Sequence, residues 1–240
     1  MGHDLEAPFE DGKPNWAALY RARSADVSEF RPVLTGDVFD NVSLEGPTGN
    51  PRARSVLVLQ HPCSMRVDGV QLANKLLVAE LTNRRPLAEA EWLGNFSLMP
   101  LPDLRPEVTS AKRDQAASFD KLHTIKAAEL VERVVSLSPF GINILLQRWV
   151  HFSSRVVVPT WQLQETTEGE FEEADLIEDW CIERSHLDLE TATRECVDWL
   201  RDPTKSPTRQ QSLREPQQRA KVRADMRAEI RRLRGTATKK

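Results

Sequence analysis

The residues best suited to chemistry lie between positions 54 and 83, where two apolar runs flank a polar loop that contains His61, Cys63 and Arg66. A histidine two residues from a cysteine can supply a general base beside a thiolate, or two ligands for a metal ion. The proline between them indicates a turn, however, and the loop offers no evident third ligand, so a packed, unreactive thiol is the alternative. The sequence alone leaves the catalytic cysteine, the metal site and the inert thiol open.

Two further candidates, Arg54 and Thr82, stand at the outer ends of the same apolar runs. A guanidinium stays charged and presents a planar fork of donors that matches phosphate oxygens. A threonine hydroxyl can donate and accept hydrogen bonds but is a poor base by itself. The alternative is that Arg54 is solvated at the start of a strand and that Thr82 bonds to its own turn.

The elements that must position these residues are mostly strands. Residues 55–59 and 76–81 are short, rich in β-branched residues or leucine and bounded by turn formers, which predicts two buried strands. Strands are also predicted over 30–44, 95–101 and 155–163, and a strand-like segment from 119 is predicted to continue into a helix that ends at Ser138 and Pro139. One short helix is expected within 16–22, residues 84–91 read as a turn with a polar connector, and residues 141–152 fit either a helix or a strand. This order predicts a small antiparallel β-barrel over 30–164, preceded by a loose N-terminal arm with a short helix over 1–29.

The composition is that of an ordinary soluble protein. The chain has 240 residues, of which 40% are hydrophobic and 29% charged. Its net charge is −3, so it lacks the overall basic excess that would indicate nucleic-acid binding. Its three cysteines lack paired spacing, which argues against a disulfide framework. No apolar run approaches the roughly 18–20 residues needed to cross a bilayer, and the first residues lack the pattern of a signal peptide. We therefore expect a cytoplasmic protein with reduced thiols and no membrane partner.

The charge is distributed unevenly after residue 164. Residues 165–202 contain fourteen acidic residues against three arginines, a net charge of −11, and their apolar spacing predicts two amphipathic helices. Residues 203–240 contain twelve lysines and arginines against three acidic residues, a net charge of +9. They predict a proline-containing linker and a basic helix over 217–233, with Val222, Met226, Ile230 and Leu233 on one stripe.

Opposite charges on neighbouring segments favour pairing of the basic helix with the acidic helices, in the same subunit or in a second one. Four alternatives remain open, two for the basic helix and two for the acidic helices. The basic helix could bind nucleic acid, or insert its apolar stripe into a partner's groove. The acidic helices could cover a basic groove as a mimic of RNA, or simply form a solvated face.

Four short motifs occur in an order that resembles the MazF/PemK family of toxin endoribonucleases. They are GDV at 36–38, RSVLV at 54–58, ELTN at 80–83 and DKLHTIK at 120–126. The resemblance covers about residues 34–137, and Ser55 stands where the family has a proline. It implies a mainly β domain of the SH3-like barrel type. The acidic and basic helices lie outside the resemblance and follow this domain as an α extension, so we expect an α+β chain.

The resemblance also implies a function. Such enzymes cleave single-stranded RNA without a metal or other cofactor, by attack of the ribose 2′-hydroxyl on the adjacent phosphorus, and usually act as homodimers that an antitoxin protein inhibits. Arg54 would then stabilise the negative charge of the phosphorane, and Thr82 would position a non-bridging oxygen or the attacking hydroxyl. Several basic residues lie in connectors that could rim an RNA groove, namely Arg66, Arg84, Arg85, Lys112 and Arg113, and Trp92 or Phe96 could stack a base. The alternative for these residues is a solvated surface.

Two other functions remain open from the sequence. One is a catalytically inactive barrel that serves as a binding or scaffold module in a defence or phage-related assembly, docking through its charged helices. The other is an enzyme that depends on Cys63, with His61 as its base.

Overall fold

The computed structural model describes residues 5–46, 49–106 and 114–237. Lys112 and Arg113 lie outside the described residues. The described chain divides into two compact units. The first contains the residues up to Val27, Val33–Met65 and Leu72–Gln164, and the second contains Ser28–Pro32, Arg66–Gln71 and the residues from Glu165 onward.

The first unit is built on antiparallel strands in two sheets. A small sheet pairs β1 (Phe9–Glu10) with β2 (Lys13–Pro14). The large sheet has seven strands in the order β3-β9-β4-β5-β6-β8-β7. Its strands are β3 (Tyr20–Arg23), β4 (Val38–Glu45), β5 (Pro51–Val58), β6 (Lys75–Arg84), β7 (Leu98–Leu101), β8 (Asp114–Lys126) and β9 (Glu132–Leu137).

The large sheet curls so that its two edge strands approach each other. From β3, the Tyr20 hydroxyl donates a hydrogen bond of 2.6 Å to the carbonyl of Pro102, directly after β7. Arg23, also in β3, donates to the carbonyl and the carboxylate of Asp103. Within the described residues β3 and β7 each have one backbone partner, so the sheet is an open one held together at its edges by side chains. Its inner face carries an apolar core that includes Phe39, Val42, Leu44, Val56, Val58, Met65, Leu76, Val78 and Ile125.

A glycine is needed where the chain enters β4. Gly36 adopts a φ of +87°, and a β-carbon there would lie 2.8 Å from the side chain of Leu137. The buried Asp37 that follows accepts hydrogen bonds from the Leu34 amide and from Arg133. The GDV motif at 36–38 therefore has a structural role at the start of a strand.

Two helices complete the first unit, and the longer one corrects a prediction. Helix α1 (Glu89–Gly94) lies within and beyond the segment read as a connector, and α2 is Pro139–Ser154. Ser138 and Pro139, predicted to end a helix, begin α2 instead: the Ser138 hydroxyl accepts a hydrogen bond from the Gly141 amide, and Pro139 occupies the first turn. The preceding segment, predicted as a helix, is strand β9, because it pairs with both β3 and β4. Tertiary pairing here overrides an ambiguous local pattern.

Three other predictions in this unit were wrong. Residues 16–22 form a 3₁₀ turn at Trp16–Leu19 followed by β3, rather than one helix. Residues 155–163, predicted as a strand, contain the left-handed Arg155 that ends α2, an irregular stretch and the start of α3 (Thr160–Glu183). The N-terminal arm is attached rather than loose, because Leu5 is buried and the Glu6 carboxylate accepts hydrogen bonds from the amide and hydroxyl of Thr160.

The second unit is helical and agrees with the predicted amphipathic helices. Most of α3 belongs to it, followed by α4 (Leu189–Leu200), the short α5 (Arg209–Ser212) and α6 (Pro216–Ala237). Their apolar faces meet in one core, to which Leu176, Trp180, Cys196, Val222, Met226 and Ile230 belong. No helix in the described parts of the chain has the length and apolar character needed to span a membrane.

Candidate functional site

A polar groove lies on the first unit where the inner face of the sheet changes from apolar to charged. Alternate residues of a strand point to the same face. Along β5 that face therefore runs from Val58 and Val56 to Arg54, and along β6 it runs from Val78 to Glu80. The groove has a volume of about 640 Å³. It is lined by Leu44, Glu45, Gly46, Arg52, Arg54, Glu80, Asp120, Lys121, Leu122 and His123.

Glu80 lies at the centre of this groove, where its carboxylate contacts a guanidinium and an imidazole. One carboxylate oxygen lies 3.3 Å from Nε of Arg54, and the other lies 3.7 Å from Nε2 of His123. All three side chains are partly exposed, with Arg54 the most accessible at 41%. A guanidinium, a carboxylate and an imidazole side by side on an open surface can bind an anion and move a proton at the same place.

Regular pairing with β6 brings His123 to this position, shortly after an irregularity in β8 that contains Lys121. Ala79 of β6 pairs with Leu122, but Leu81 pairs with Ala117, so the intervening residues of β8 leave the ladder with β6. Such bulges bend a strand and redirect its side chains. His123 itself remains paired, opposite Val78, and so shares the inner face with the neighbouring carboxylate.

The sequence candidate Thr82 lies beside the groove without forming part of its lining. Glu80 pairs with Val56, and the same register continued by two residues would place Thr82 opposite Arg54. The ladder between β5 and β6 ends at Glu80, however, and the Thr82 hydroxyl donates to the carbonyl of Ala116 at 3.4 Å. Arg54 therefore contacts β6 through Glu80 instead of Thr82.

His61 and Cys63 are brought together at a different place, after the C-terminal end of β5. The Cys63 sulfur lies 3.0 Å from Nδ1 of His61, and the Cys63 amide donates to the same nitrogen. Because Nδ1 is the acceptor in the hydrogen bond from the Cys63 amide, the proton of a neutral imidazole ring lies on Nε2. In the described residues no group of three or more histidine, cysteine, aspartate or glutamate side chains is arranged to hold a metal ion. The pair thus offers a base beside a thiol, without the third ligand that a metal site needs.

The remaining sequence candidates do not converge on the groove. Arg66 belongs to the second unit, where its charge lowers the pKa of Glu173. Arg84 is exposed at the end of β6, and Arg85 forms two hydrogen bonds with Glu91.

Trp92 is unsuited to the predicted role of stacking a base because it is 1% exposed. Its ring stacks on Trp16 with centroids 5.6 Å apart, and the guanidinium of Arg148 lies 4.8 Å from it. Arg148 also donates to the carbonyls of Trp92 and Asn95. A connector over 84–91 would leave the tryptophan at the surface, whereas the helix α1 turns its ring into the core.

A second polar cluster, on another part of β5, has a structural role. Arg105 donates two hydrogen bonds of 2.6 Å to the carboxylate of Asp40, and the Ser55 hydroxyl donates to the same group. Burial raises the pKa of Asp40, but these hydrogen bonds outweigh it and hold the pKa below its ordinary value. The Ser55 hydroxyl thereby joins β5 to β4.

Two groove residues, Glu80 and His123, were missed by reasoning from the sequence. Glu80 interrupts the apolar run 76–81 at an inward position, which is a detectable signal, since a carboxylate on the inner face of a strand is uncommon. His123 carried no signal of its own, because only the pairing of β8 with β6 places it next to that carboxylate.

A scan of the chain against protein-family models finds no matching family, and a search among curated proteins finds no significant match. The chemistry of the groove therefore rests on its own geometry.

Proposed function

We propose that the groove is the active site of an endoribonuclease that cleaves single-stranded RNA without a metal ion, through attack of the ribose 2′-hydroxyl on the adjacent phosphorus. The observation that carries this proposal is the placement of Glu80 between Arg54 and His123 in an open groove. The reaction needs a base, an acid and a cation at the phosphate, and these three side chains are of the right types.

Each residue takes one role. Glu80 accepts the proton of the 2′-hydroxyl as the ribose 2′-oxygen forms a bond to phosphorus. Arg54 binds the non-bridging oxygens and stabilises the negative charge that develops on them. His123, in its protonated form, gives a proton to the 5′-oxygen as the bond from phosphorus to that oxygen breaks. The products are a 2′,3′-cyclic phosphate and a 5′-hydroxyl.

Substrate has to separate two of these groups. In-line displacement places the base and the acid on opposite sides of phosphorus, whereas Glu80 and His123 lie 3.7 Å apart in the free protein. A bound phosphate would therefore replace their direct contact, and the exposure of His123, at 29%, leaves its ring room to move. Contacts of this kind commonly rearrange when substrate binds.

We also propose that the curled sheet is a variant of the SH3-like barrel of MazF/PemK type. The order of the motifs at 36–38, 54–58, 80–83 and 120–126 supports this, as does the approach of the edge strands through Tyr20 and Arg23. A homodimer and an inhibitory protein partner are implied by the same resemblance and belong to this proposal.

The test is cleavage of single-stranded RNA by the purified protein in the presence of a chelator. Glu80→Gln and His123→Ala are each expected to lower kcat by about 10²–10⁴-fold, the usual contribution of a general acid or base. Arg54→Ala is expected to cost about 10²–10³-fold, as the loss of one donor to a developing oxyanion does elsewhere.

Controls separate this function from the two alternatives. The Cys63→Ala variant should retain activity. If this variant does not cleave RNA, the result would point instead to a cysteine-dependent enzyme. The absence of cleavage for any RNA would favour the binding module. Docking of that module through its charged helices is disfavoured by the ion pairs that α3 and α6 form with each other, such as Arg219 with Glu168 and Arg223 with Glu172.

A further inference from the structure

A second arginine of β5 lines the groove two residues before Arg54. Arg52 pairs with Leu44 of β4, and Arg54 pairs with Val42, so both arginines stand on the inner face of the sheet. Two residues of a strand span about 6–7 Å. Two guanidinium groups so spaced can each bind one of two successive phosphates of an extended RNA strand.

The turn between β4 and β5 positions the Arg52 side chain. The Gly46 amide donates to the carbonyl of Asn50 at 2.9 Å, which closes the hairpin. A β-carbon at Gly46 would lie 3.2 Å from Nε of Arg52, so the guanidinium stem packs directly against the glycine. The close approach leaves the exposed end of Arg52 at the rim of the groove.

The two arginines differ in how their charges are compensated. Arg54 has an ion pair with Glu80, the proposed base. Arg52 forms no ion pair with any of the residues that the structure describes. An anion that binds at Arg52 therefore has no carboxylate to displace, in contrast to one that binds at Arg54.

We propose that Arg52 is a substrate-positioning residue that binds the phosphate next to the scissile one. The groove then selects RNA with at least two successive phosphates, and discriminates against a dinucleoside monophosphate, which has only one. This inference rests on the proposed endoribonuclease function and adds the length and phosphate content of its substrate.

The experiment compares three substrates built on the dinucleotide step that the wild-type protein cleaves in a longer RNA. One has only the internal phosphate, the second adds a 5′-phosphate and the third adds a 3′-phosphate. For the wild type we expect one added phosphate to lower KM by about three- to fivefold, the effect of a partly exposed ion pair, with little change in kcat.

Variants of Arg52 test whether that gain depends on this side chain. Arg52→Ala is expected to erase the difference in KM between the substrates, and Arg52→Lys to keep part of it, because lysine retains the charge. The matched control is Arg227→Ala, which removes an exposed arginine of α6 and should leave the difference in place. Thermal unfolding of each variant verifies that it is folded.

The outcomes distinguish the role of Arg52 from the proposed endoribonuclease function on which it rests. If the wild type cleaves longer RNA but has the same KM for all three substrates, or if the gain survives in Arg52→Ala, the role of Arg52 is overturned and the nuclease stands. If the wild type cleaves no RNA of any length, the nuclease itself fails, and the role of Arg52 fails with it.

Discussion

A single carboxylate, Glu80, connects the two other reactive groups of the groove, and its position follows from simple strand geometry. It occupies an inward position two residues after Val78, where the apolar core of the curled sheet ends. A carboxylate at that place would be costly inside the core, but here it is 17% exposed and lies beside Arg54. The same location that makes it tolerable for folding makes it accessible to substrate.

A second carboxylate, Glu173 of α3, illustrates a residue that lowers stability at neutral pH. Burial raises its pKa, and the charge of Glu170 adds to this, while a hydrogen bond from Gln210 and the charges of Arg201 and Arg66 act in the opposite direction. A carboxyl group whose pKa is higher in the folded than in the unfolded state binds its proton more tightly when folded. The free energy of unfolding therefore decreases as the pH rises from the unfolded-state pKa through the folded-state value.

Replacing Glu173 with glutamine is expected to stabilise the protein at pH 7. The amide oxygen can still accept the hydrogen bond from Gln210, and the cost of burying a charge disappears. We expect the free energy of unfolding to rise by about 1 kcal/mol, or roughly 2–4 °C in the unfolding midpoint. The gain should vanish near pH 4, where the carboxyl group of the wild type is protonated in the folded state.

Thermal unfolding followed from pH 4 to pH 8 measures this difference, with the exposed Glu165→Gln as the matched control. A lower midpoint for Glu173→Gln at pH 7 would contradict the prediction. It would mean that the contact with Arg201, at 3.9 Å, stabilises the folded protein more than burial of the carboxylate destabilises it.

The candidate site shows what a sequence can and cannot predict about single residues. Arg54 was singled out through the resemblance of residues 54–58 to a motif of the MazF/PemK family, and the structure places it in the groove. His123 was missed because Glu80, the carboxylate it contacts, lies more than 40 positions earlier in the sequence, and no local pattern encodes such a contact. Trp92 was misplaced because the same aromatic side chain suits a stacking platform and a core equally well.

At the scale of elements, the pairing of the basic helix with the acidic helix is confirmed within one chain. Along α6, Arg219, Arg223 and Arg234 form ion pairs with carboxylates of α3. The apolar stripe of α6 is buried at the same time, with Met226 3% exposed and Ile230 4% exposed. Partly exposed ion pairs contribute about 0–1 kcal/mol each, whereas truncating a buried methionine costs about 2–5 kcal/mol. The stripe, rather than the charges, should therefore account for most of the stability of this contact.

Hydrogen exchange of the α6 amides tests this ranking. Met226→Ala is expected to reduce protection strongly and Arg223→Ala only slightly, while Arg227→Ala, an exposed arginine of the same helix, serves as the control for loss of charge. About 1 M salt, which shortens the screening length to about 3 Å, should lower protection modestly in the wild type. A helix released by salt alone would reverse the ranking, and complete indifference to salt would show that the ion pairs contribute nothing.

Elements were predicted well where one pattern stood alone and poorly where two patterns overlapped. Strands β5 and β6 were identified from short runs that are rich in β-branched residues or leucine and bounded by turn formers, and the amphipathic helices from apolar residues at intervals of three or four. Strand β9 spans only Glu132–Leu137, and its clustered valines fit a helix as well as a strand. Only the backbone partners β3 and β4, one of them more than 100 residues earlier, decide between the two.

At the scale of the whole molecule, the two units are interleaved along the chain. The second unit includes Ser28–Pro32 and Arg66–Gln71, although each lies between segments of the first unit in the sequence. Arg31 shows how the first of these segments is held. Its side chain is 2% exposed and donates hydrogen bonds to Asp175 and Glu178, and its guanidinium lies 4.6 Å from the ring of Phe171. The charge asymmetry and apolar spacing after residue 164 predict a helical segment. The contact of Arg31 with Asp175, across 144 residues, cannot be predicted from local composition.

Arg31→Ala should therefore destabilise the helical unit from a position far outside it in the sequence. Its removal leaves the carboxylate of Glu178, 9% exposed, without this cation, and breaking such a buried pair costs about 3–5 kcal/mol. Because each unit has its own apolar core, hydrogen exchange should quicken in α3, α4 and α6 while β5 and β6 keep their protection. Arg231→Ala, which removes an exposed arginine of α6, is the control and should change neither set of amides. Equal loss of protection in the strands and the helices would show that the two units unfold together, and unchanged exchange in α3 would show that Arg31 does not stabilise it.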